Sequence, residues 1–300
     1  MKVIFQCDDR PQSGLVHLMR CTALAEALTE RGHEIFFTTP QNERAPIPDV
    51  IVVDSYDVLA PQIVAWSHIA AVVVIDDLAD RDLRGAFAVI NQNFGADALP
   101  YNAGGAQMLL GPAYAMLRRQ FLQAQRRAHR EFTASDARVL LTLGGGPMAD
   151  RLLQALSALE QIERALQITV MGMDEPAGFS THHQTNFVCR TDEPASLMER
   201  ADLCVTGGGV STLELAALGT PSVILTLAAN QEPAARTLRR TGMAVVAGRF
   251  EEALPGLSAV VAGLLSDTGR RRALSSASME SVDGAGAQRV ASFLETIEVR

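Results

Sequence analysis

In the stretch SGLVHLMRC, residues 13–21, a histidine stands where a short apolar run gives way to a helical pattern. An imidazole can take and return a proton near neutral pH, so His17 is the candidate catalytic base. Asp8 at the end of the apolar run and Gly14 in the turn would share its surroundings. The competing reading is a helix-start histidine without a chemical role. The pair Asp76 and Asp77 ends the run AAVVVIDD and could line the same site, or cap the next helix from an Asp-rich turn.

Two other stretches suit phosphate better than proton transfer. LLTLGGGPMADRLLQAL places Gly144, Gly145 and Gly146 between a strand and a helix, where bare backbone can approach an anion. VTGGGVSTLELAALGTPSVIL repeats the device with Gly207, Gly208 and Gly209, followed by Ser211 and Thr212, whose hydroxyls can cap the helix or bond a phosphate. Glu214 then either complements the helix dipole or accepts from a ribose. Neither stretch has the GxGxxG spacing of a dinucleotide site. Two such turns in one half of the chain point to a nucleoside diphosphate.

No metal constellation stands out. His33, His68 and His129 have surface or helix-face settings, and the adjacent His182 and His183 are not expected to face one metal together. Cys7, Cys21, Cys189 and Cys204 lack CxxC spacing and lie in or next to apolar runs, which reads as buried free thiols. No cofactor is expected.

The elements that must carry these residues alternate strand and helix throughout, the pattern of parallel sheets with crossover helices. Strands are expected at 3–6, 34–38, 50–53, 71–75, 88–90 and 107–110, and again at 138–143, 167–171, 186–189, 203–206, 222–225 and 244–246. A helix over 17–31 carries Leu18, Cys21, Leu24, Ala25 and Leu28 at three- and four-residue spacings. An arginine-rich helix and a Ser/Thr/Asp stretch over 117–137 break the alternation. The expectation is therefore an α/β protein of two Rossmann-like domains, 1–133 and 134–300, the last amphipathic helix packing back on the first. Ligands of open parallel sheets bind beyond the carboxyl ends of the strands, so the two sets of residues should face a cleft.

Composition narrows the partners. Of 300 residues, 48% are hydrophobic and 20% charged, and the net charge of −8 opposes any large nucleic-acid footprint. Lysine occurs once, at Lys2, so side-chain cations must come from arginine. No apolar run reaches the roughly 18–20 residues of a membrane span, and the start MKVIFQCDDR lacks the pattern of a signal peptide. A soluble, cytoplasmic monomer without stable membrane insertion is expected.

Taken in order, GLVHLMRCTALAEAL, VVDSYD, VVIDDLADR, VINQNFGA, LLGPAYAMLRRQF, LGGGP, GGGVSTLELAALGTPSVIL and AANQEPAARTLRRTGMA form a pattern over residues 1 to about 250. It resembles the UDP-sugar hydrolases of pseudaminic acid biosynthesis and the related spore-coat polysaccharide proteins. The resemblance implies a glycosyltransferase-B architecture, a UDP-sugar substrate cleaved at the anomeric carbon, and His17 as the catalytic histidine. Arg20, Asn230 and Gln231 fall in its motifs and join Asp8, Gly14, Asp76 and Asp77 as expected substrate-binding residues. The chain departs from the family pattern at Gln6, Val16, Pro147, Val210, Leu213 and Ala229. Two other functions fit the same architecture: a glycosyltransferase using a UDP-sugar donor, and a non-catalytic nucleotide-sugar binder of a surface-glycan pathway.

Overall fold

The computed structural model describes residues 1–8, 16–38, 46–125, 131–135, 137–144 and 148–298, so Gly14, His129, Gly145, Gly146 and Pro147 lie outside the described residues. The first sheet contains β1 (Lys2–Cys7), β2 (Glu34–Thr38), β3 (Val50–Asp54), β4 (Ala71–Ile75), β5 (Ala88–Asn91) and β6 (Gln107–Leu110), in the order β2-β1-β3-β4-β5-β6. The second contains β7 (Arg138–Thr142), β8 (Gln167–Met171), β9 (Gln184–Val188), β10 (Leu203–Gly207), β11 (Ser222–Thr226) and β12 (Val245–Arg249), in the order β12-β11-β10-β7-β8-β9. Every pairing in both sheets is parallel.

The helices are α1 (Val16–Thr29), α2 (Ala60–Ser67), α3 (Arg119–Gln125), α4 (Ala149–Leu159), α5 (Pro194–Arg200) and α6 (Ser211–Ala217), followed by α7 (Glu232–Thr241), α8 (Phe250–Ala253), α9 (Leu257–Ser266), α10 (Thr268–Ser281) and α11 (Gly286–Leu294). None is long and apolar enough to cross a membrane.

Compact units divide the chain into Met1–Arg119 with Gly284–Arg300, and Gln120–Asp283. The second unit begins within α3, at Gln120: Phe121 is fully buried, Gln120 bonds the Asp192 carbonyl and the Ala195 N–H, and Gln125 bonds the Val282 carbonyl. Only Arg119–Gln125 of the expected arginine-rich helix is described as helical.

Parallel strands covered on both faces read as apolar runs, and alternation decides which side each residue serves. In the first unit Val3, Phe5, Val50, Val52, Val73 and Ile75 pack with α1 and α11. Ile51, Val53, Val72 and Val74 pack on the opposite face with Ile63 of α2. The chain end completes the first core, Val290, Ala291 and Leu294 of α11 meeting Leu24 and Leu28 of α1. Gly286 lets the start of α11 lie against residues 114–115, since a Cβ there would stand 2.3 Å from the Ala115 carbonyl oxygen. In the second unit one face gathers Val139, Leu141, Leu203, Val205, Val223 and Leu225 beneath α4 and α9. The strand expected at 186–189 begins two residues earlier, where the polar edge residues Gln184 and Thr185 pair with Gln167 and Ile168.

Candidate active site

In the first sheet the chain goes from β1 outward to β2, then returns to β3 on the other side of β1. The carboxyl ends of β1 and β3 flank this reversal, the place where open α/β sheets bind ligands. Cys7 pairs there with Asp54, and the Asp8 N–H donates to the Asp54 carbonyl at 3.0 Å. Alternation along β3 puts Asp54 on the side of Val50 and Val52, toward α1. Along α1, His17, Arg20, Cys21 and Leu24 are spaced three and four apart and form one stripe, all buried. Strand and helix therefore bring a carboxylate, an imidazole and a guanidinium together.

His17 Nδ1 lies 2.6 Å from Asp54 Oδ1. Arg20 grips the same carboxylate with Nε on Oδ2 at 2.7 Å and Nη2 on Oδ1 at 2.7 Å. Burial alone would raise the Asp54 carboxyl, but the Arg20 charge and the hydrogen bonds from Arg20 and His17 bring it down to about 2. An ionised carboxylate only accepts, so the proton of that short contact sits on Nδ1, and in the neutral ring Nε2 is the acceptor. Such a ring is poised as a base. Burial disfavours the Arg20 cation, yet Asp54 and Asp77 hold it charged, its pKa raised. Beside them the Cys21 thiol is pushed up by its hydrogen bond with Cys7, by burial and by Asp54, and stays neutral.

The remaining Arg20 group, Nη1, chelates both Asp77 oxygens at 2.9 and 2.8 Å. Asp77 also accepts from Asn93 Nδ2 at 2.7 Å and from the Tyr56 hydroxyl at 3.1 Å. Burial pushes the Tyr56 phenol up, and the Asp77 charge adds to that, so it remains a donor. The Tyr56 ring is 36% exposed, meets His17 edge-on at 5.3 Å and lies under the Arg81 guanidinium at 5.6 Å. Asp76 turns the other way: it accepts from the Leu78 and Ala79 N–H groups and from Arg81 Nε at 2.7 Å. It shapes the loop in which Ala79 takes a left-handed φ of 54°.

Of the expected residues in this unit, His17, Arg20 and Asp77 meet in one network, Asp8 adjoins it through the backbone, and Asp76 serves its own loop. Val16 opens α1 half-buried, and Gln6 is half-buried on β1. Asp54, Tyr56 and Asn93 were not among the expected site residues. A signal existed for Asp54, since an acid that ends the otherwise apolar run VIVVD falls on the α1 face.

The second sheet reverses between β7 and β10, so Gly144 and Gly207 occupy the equivalent place. Gly144 has a φ of 106°, a conformation L side chains rarely adopt. A Cβ on Gly207 would come within 2.8 Å of Leu227 Cδ1 and 3.1 Å of the Leu143 carbonyl oxygen. Gln231 ties this turn to the next, its Oε1 accepting from the Gly208 N–H at 3.1 Å and the Leu227 N–H at 2.8 Å. Thr212 Oγ1 donates to the Gly209 carbonyl at 2.7 Å and is buried, whereas Ser211, Glu214 and Val210 are half-buried. Leu213 is fully buried; Ala229 and Asn230 are exposed.

Among the described residues, two groups bring metal-ligand atoms within 4.8 Å of one another: Cys7, Cys21 and Asp54, and Glu160, His182 and His183. In the first, Asp54 is already matched by Arg20. In the second, the adjacent histidines do come together, 3.9 Å between ring centroids, because His183 turns inward to the Leu166 N–H and the Leu159 carbonyl while His182 reaches Glu160 and the Ile162 carbonyl. Both rings spend their nitrogens on these partners.

No family model matches the chain. The spore coat polysaccharide biosynthesis protein SpsG of Bacillus subtilis (strain 168) is 23% identical over 339 aligned residues, spanning 99% of this chain and 98% of that protein. Among solved structures, MurG of Acinetobacter baumannii superposes with a TM-score of 0.67 at 14% identity, over 98% of this chain and 99% of that one. The glycotransferase of kitacinnamycin gives 0.68 at 16% identity, over 98% of each chain. Glycosyltransferase SsfS6 of Streptomyces sp. SF2575, complexed with thymidine diphosphate, gives 0.60 at 14% identity, over 99% of each chain. The fold is glycosyltransferase-B. The likeness to SpsG matches the broader half of the resemblance read from the motifs, the spore-coat polysaccharide proteins.

Proposed function

We propose that this chain transfers a glycosyl group from a UDP-sugar to an oxygen acceptor, with His17 as general base. The observation that carries the reading is the 2.6 Å contact between His17 Nδ1 and Asp54 at the reversal point of the first sheet. As the acceptor oxygen attacks the anomeric carbon, its proton passes to Nε2, and the imidazolium that forms is stabilised by Asp54. The glycosidic bond to the diphosphate breaks with its electron pair on the leaving oxygen, so UDP departs. The glycine turns of the second unit are read as backbone that suits a diphosphate. Glycosyltransferases among the fold neighbours and a polysaccharide biosynthesis protein as relative support a sugar hydroxyl as acceptor.

A second reading has water in the acceptor's place, which makes the chain a hydrolase of UDP-linked amino-deoxy sugars. The motif GLVHLMRC and its companions support it through the resemblance described above. One assay separates them: UDP release is followed with a panel of UDP-sugars, with and without hydroxyl acceptors. An acceptor-dependent rate and a new glycoside support transfer; full-rate release in water supports hydrolysis; no release from any donor defeats both. Binding of UDP without release from any donor would instead favour a non-catalytic binder, and release unchanged in His17→Ala would deny His17 the role of base.

A further inference from the structure

Asp77 is the residue whose position invites a substrate contact, since it ends a strand beside the candidate base and its side chain keeps 18% exposure. Its hydrogen bonds say otherwise. Both oxygens accept from Arg20 Nη1, Oδ1 also from Asn93 Nδ2 and Oδ2 also from the Tyr56 hydroxyl. Each oxygen thus has two donors, which matches its two lone pairs. Arg20 is likewise consumed, its Nε and Nη2 on Asp54 and its Nη1 on Asp77. A planar guanidinium held at both ends cannot swing toward a ligand without leaving a buried carboxylate unpaired.

We infer that Asp77 is a positioning residue for the base: by anchoring Arg20 it keeps Asp54 ionised and selects the His17 tautomer that carries its proton on Nδ1. The alternative geometry shows why an anchor is needed. Arg20 Nη2 lies 3.3 Å from His17 Nδ1, and a guanidinium nitrogen can only donate. If Arg20 shifted toward that nitrogen, Nδ1 would become the acceptor, the proton would move to Nε2, and the ring would face its substrate as a donor. Asp77 pulls from the opposite end. The charge count also matters: Arg20 with Asp54 and Asp77 sums to −1, and a proton arriving on His17 brings the cluster to zero. Among the described residues, the other titratable groups near this ring and its partners are Cys7 on β1, Asp8 through its backbone, Cys21 on α1, Tyr56 after β3, and Arg81, which packs on Tyr56. The Cys21 thiol, held neutral and bonded to Asp54 Oδ2 at 3.4 Å, adds no charge.

The inference rests on the proposed role of His17, and its test has a readout that does not need turnover. In protein with 15N-labelled histidine, long-range 1H–15N spectra report tautomer and titration of each ring, and His17→Ala identifies the signal. The expected parent signal is the Nδ1–H tautomer. In Asp77→Asn the His17 titration midpoint falls by roughly half a pH unit, because a negative charge near the imidazolium is gone, and the Nε2–H form gains population. Asp77→Glu keeps the charge and holds the midpoint within about 0.2 of the parent. In the turnover assay the acid limb of kcat/KM follows the same shift, and kcat falls about tenfold with the donor KM within twofold. A raised KM with an unchanged midpoint would make Asp77 a direct ligand and overturn the inference; so would an unchanged midpoint and unchanged kinetics. Thermal melting checks folding, and if Asp77→Asn does not fold, Arg20→Lys, which keeps the charge but cannot span both carboxylates, must show the mixed tautomer. A parent without turnover on any UDP-sugar defeats the proposed function while leaving the NMR test intact.

Discussion

The two sheets share a plan and differ in what stands at its key point. In both, the chain builds strands to one side and then returns to the other side of its first strand, so β1 meets β3 in one and β7 meets β10 in the other. At the first junction sits a charged and internally matched cluster, with His17, Asp54 and Arg20 buried and Asp77 half-buried at its edge. At the second sit glycines whose backbone approaches Leu143 and Leu227, tied by the neutral amide of Gln231. One topology thus supplies the place twice, and the side chains differ: the proposed function gives proton transfer to the first place and backbone donors to the second. A group that moves a proton needs a fixed, low-dielectric partner; a loop that meets a diphosphate needs bare N–H groups and no bulk.

Mutations can break this contrast one side at a time. The largest effect is expected from His17→Ala, which should lower kcat about a thousandfold while UDP affinity by calorimetry stays within twofold. Next comes Asp54→Asn, which leaves the volume but lets the imidazole turn to the wrong tautomer; kcat should fall about a hundredfold. The same variant sharpens the electrostatic account. The Asp54 carboxyl is depressed from the ordinary range near 4 to about 2 in the fold, so its contribution is fully present above pH ~4 and is lost as pH falls through about 2. That amounts to about 2–3 kcal/mol of stability, and melting curves between pH 2 and 5 should lose this acid-dependent part in Asp54→Asn. If the parent melts identically at both ends of that range, the buried pairing is not what stabilises the junction.

Gly207→Ala tests the other sheet. Its Cβ would press on the Leu143 carbonyl and on Leu227, so UDP affinity should drop about tenfold while the His17 titration seen by NMR stays put. A joint change in both readouts would deny that the junctions have separate tasks. The smallest effect is expected at Ala79→Gly, which relieves the left-handed backbone in the Asp76 loop and should raise the thermal midpoint by an amount worth about 1 kcal/mol or less, with kcat unchanged.

Much of this was legible in the residues. The short β-branched apolar runs marked the strands, and the three- and four-residue spacing in ALAEAL marked α1, because local propensity and burial agree there. His17 and the glycine turns were singled out by type and place alone. Asp76 and Asp77 were read as equals from their adjacency, yet consecutive residues after a strand point to opposite faces, and one serves its own loop while the other holds Arg20. Thr212 was read as a helix cap or a phosphate ligand; in the fold its hydroxyl donates to the Gly209 carbonyl, an ST-type bond that depends on how the turn closes.

The sequence by itself determined the alternation of strands and helices, the two-sheet organisation and which side chains could carry chemistry, since these depend on neighbours within a few residues. Only the tertiary structure decided that His17 meets Asp54, 37 positions away, and that Arg20 spans from there to Asp77, 57 positions away. Those meetings follow from β3 lying beside β1 rather than beside β2, and strand order is settled by which faces bury one another across the whole unit. No local pattern encodes that choice.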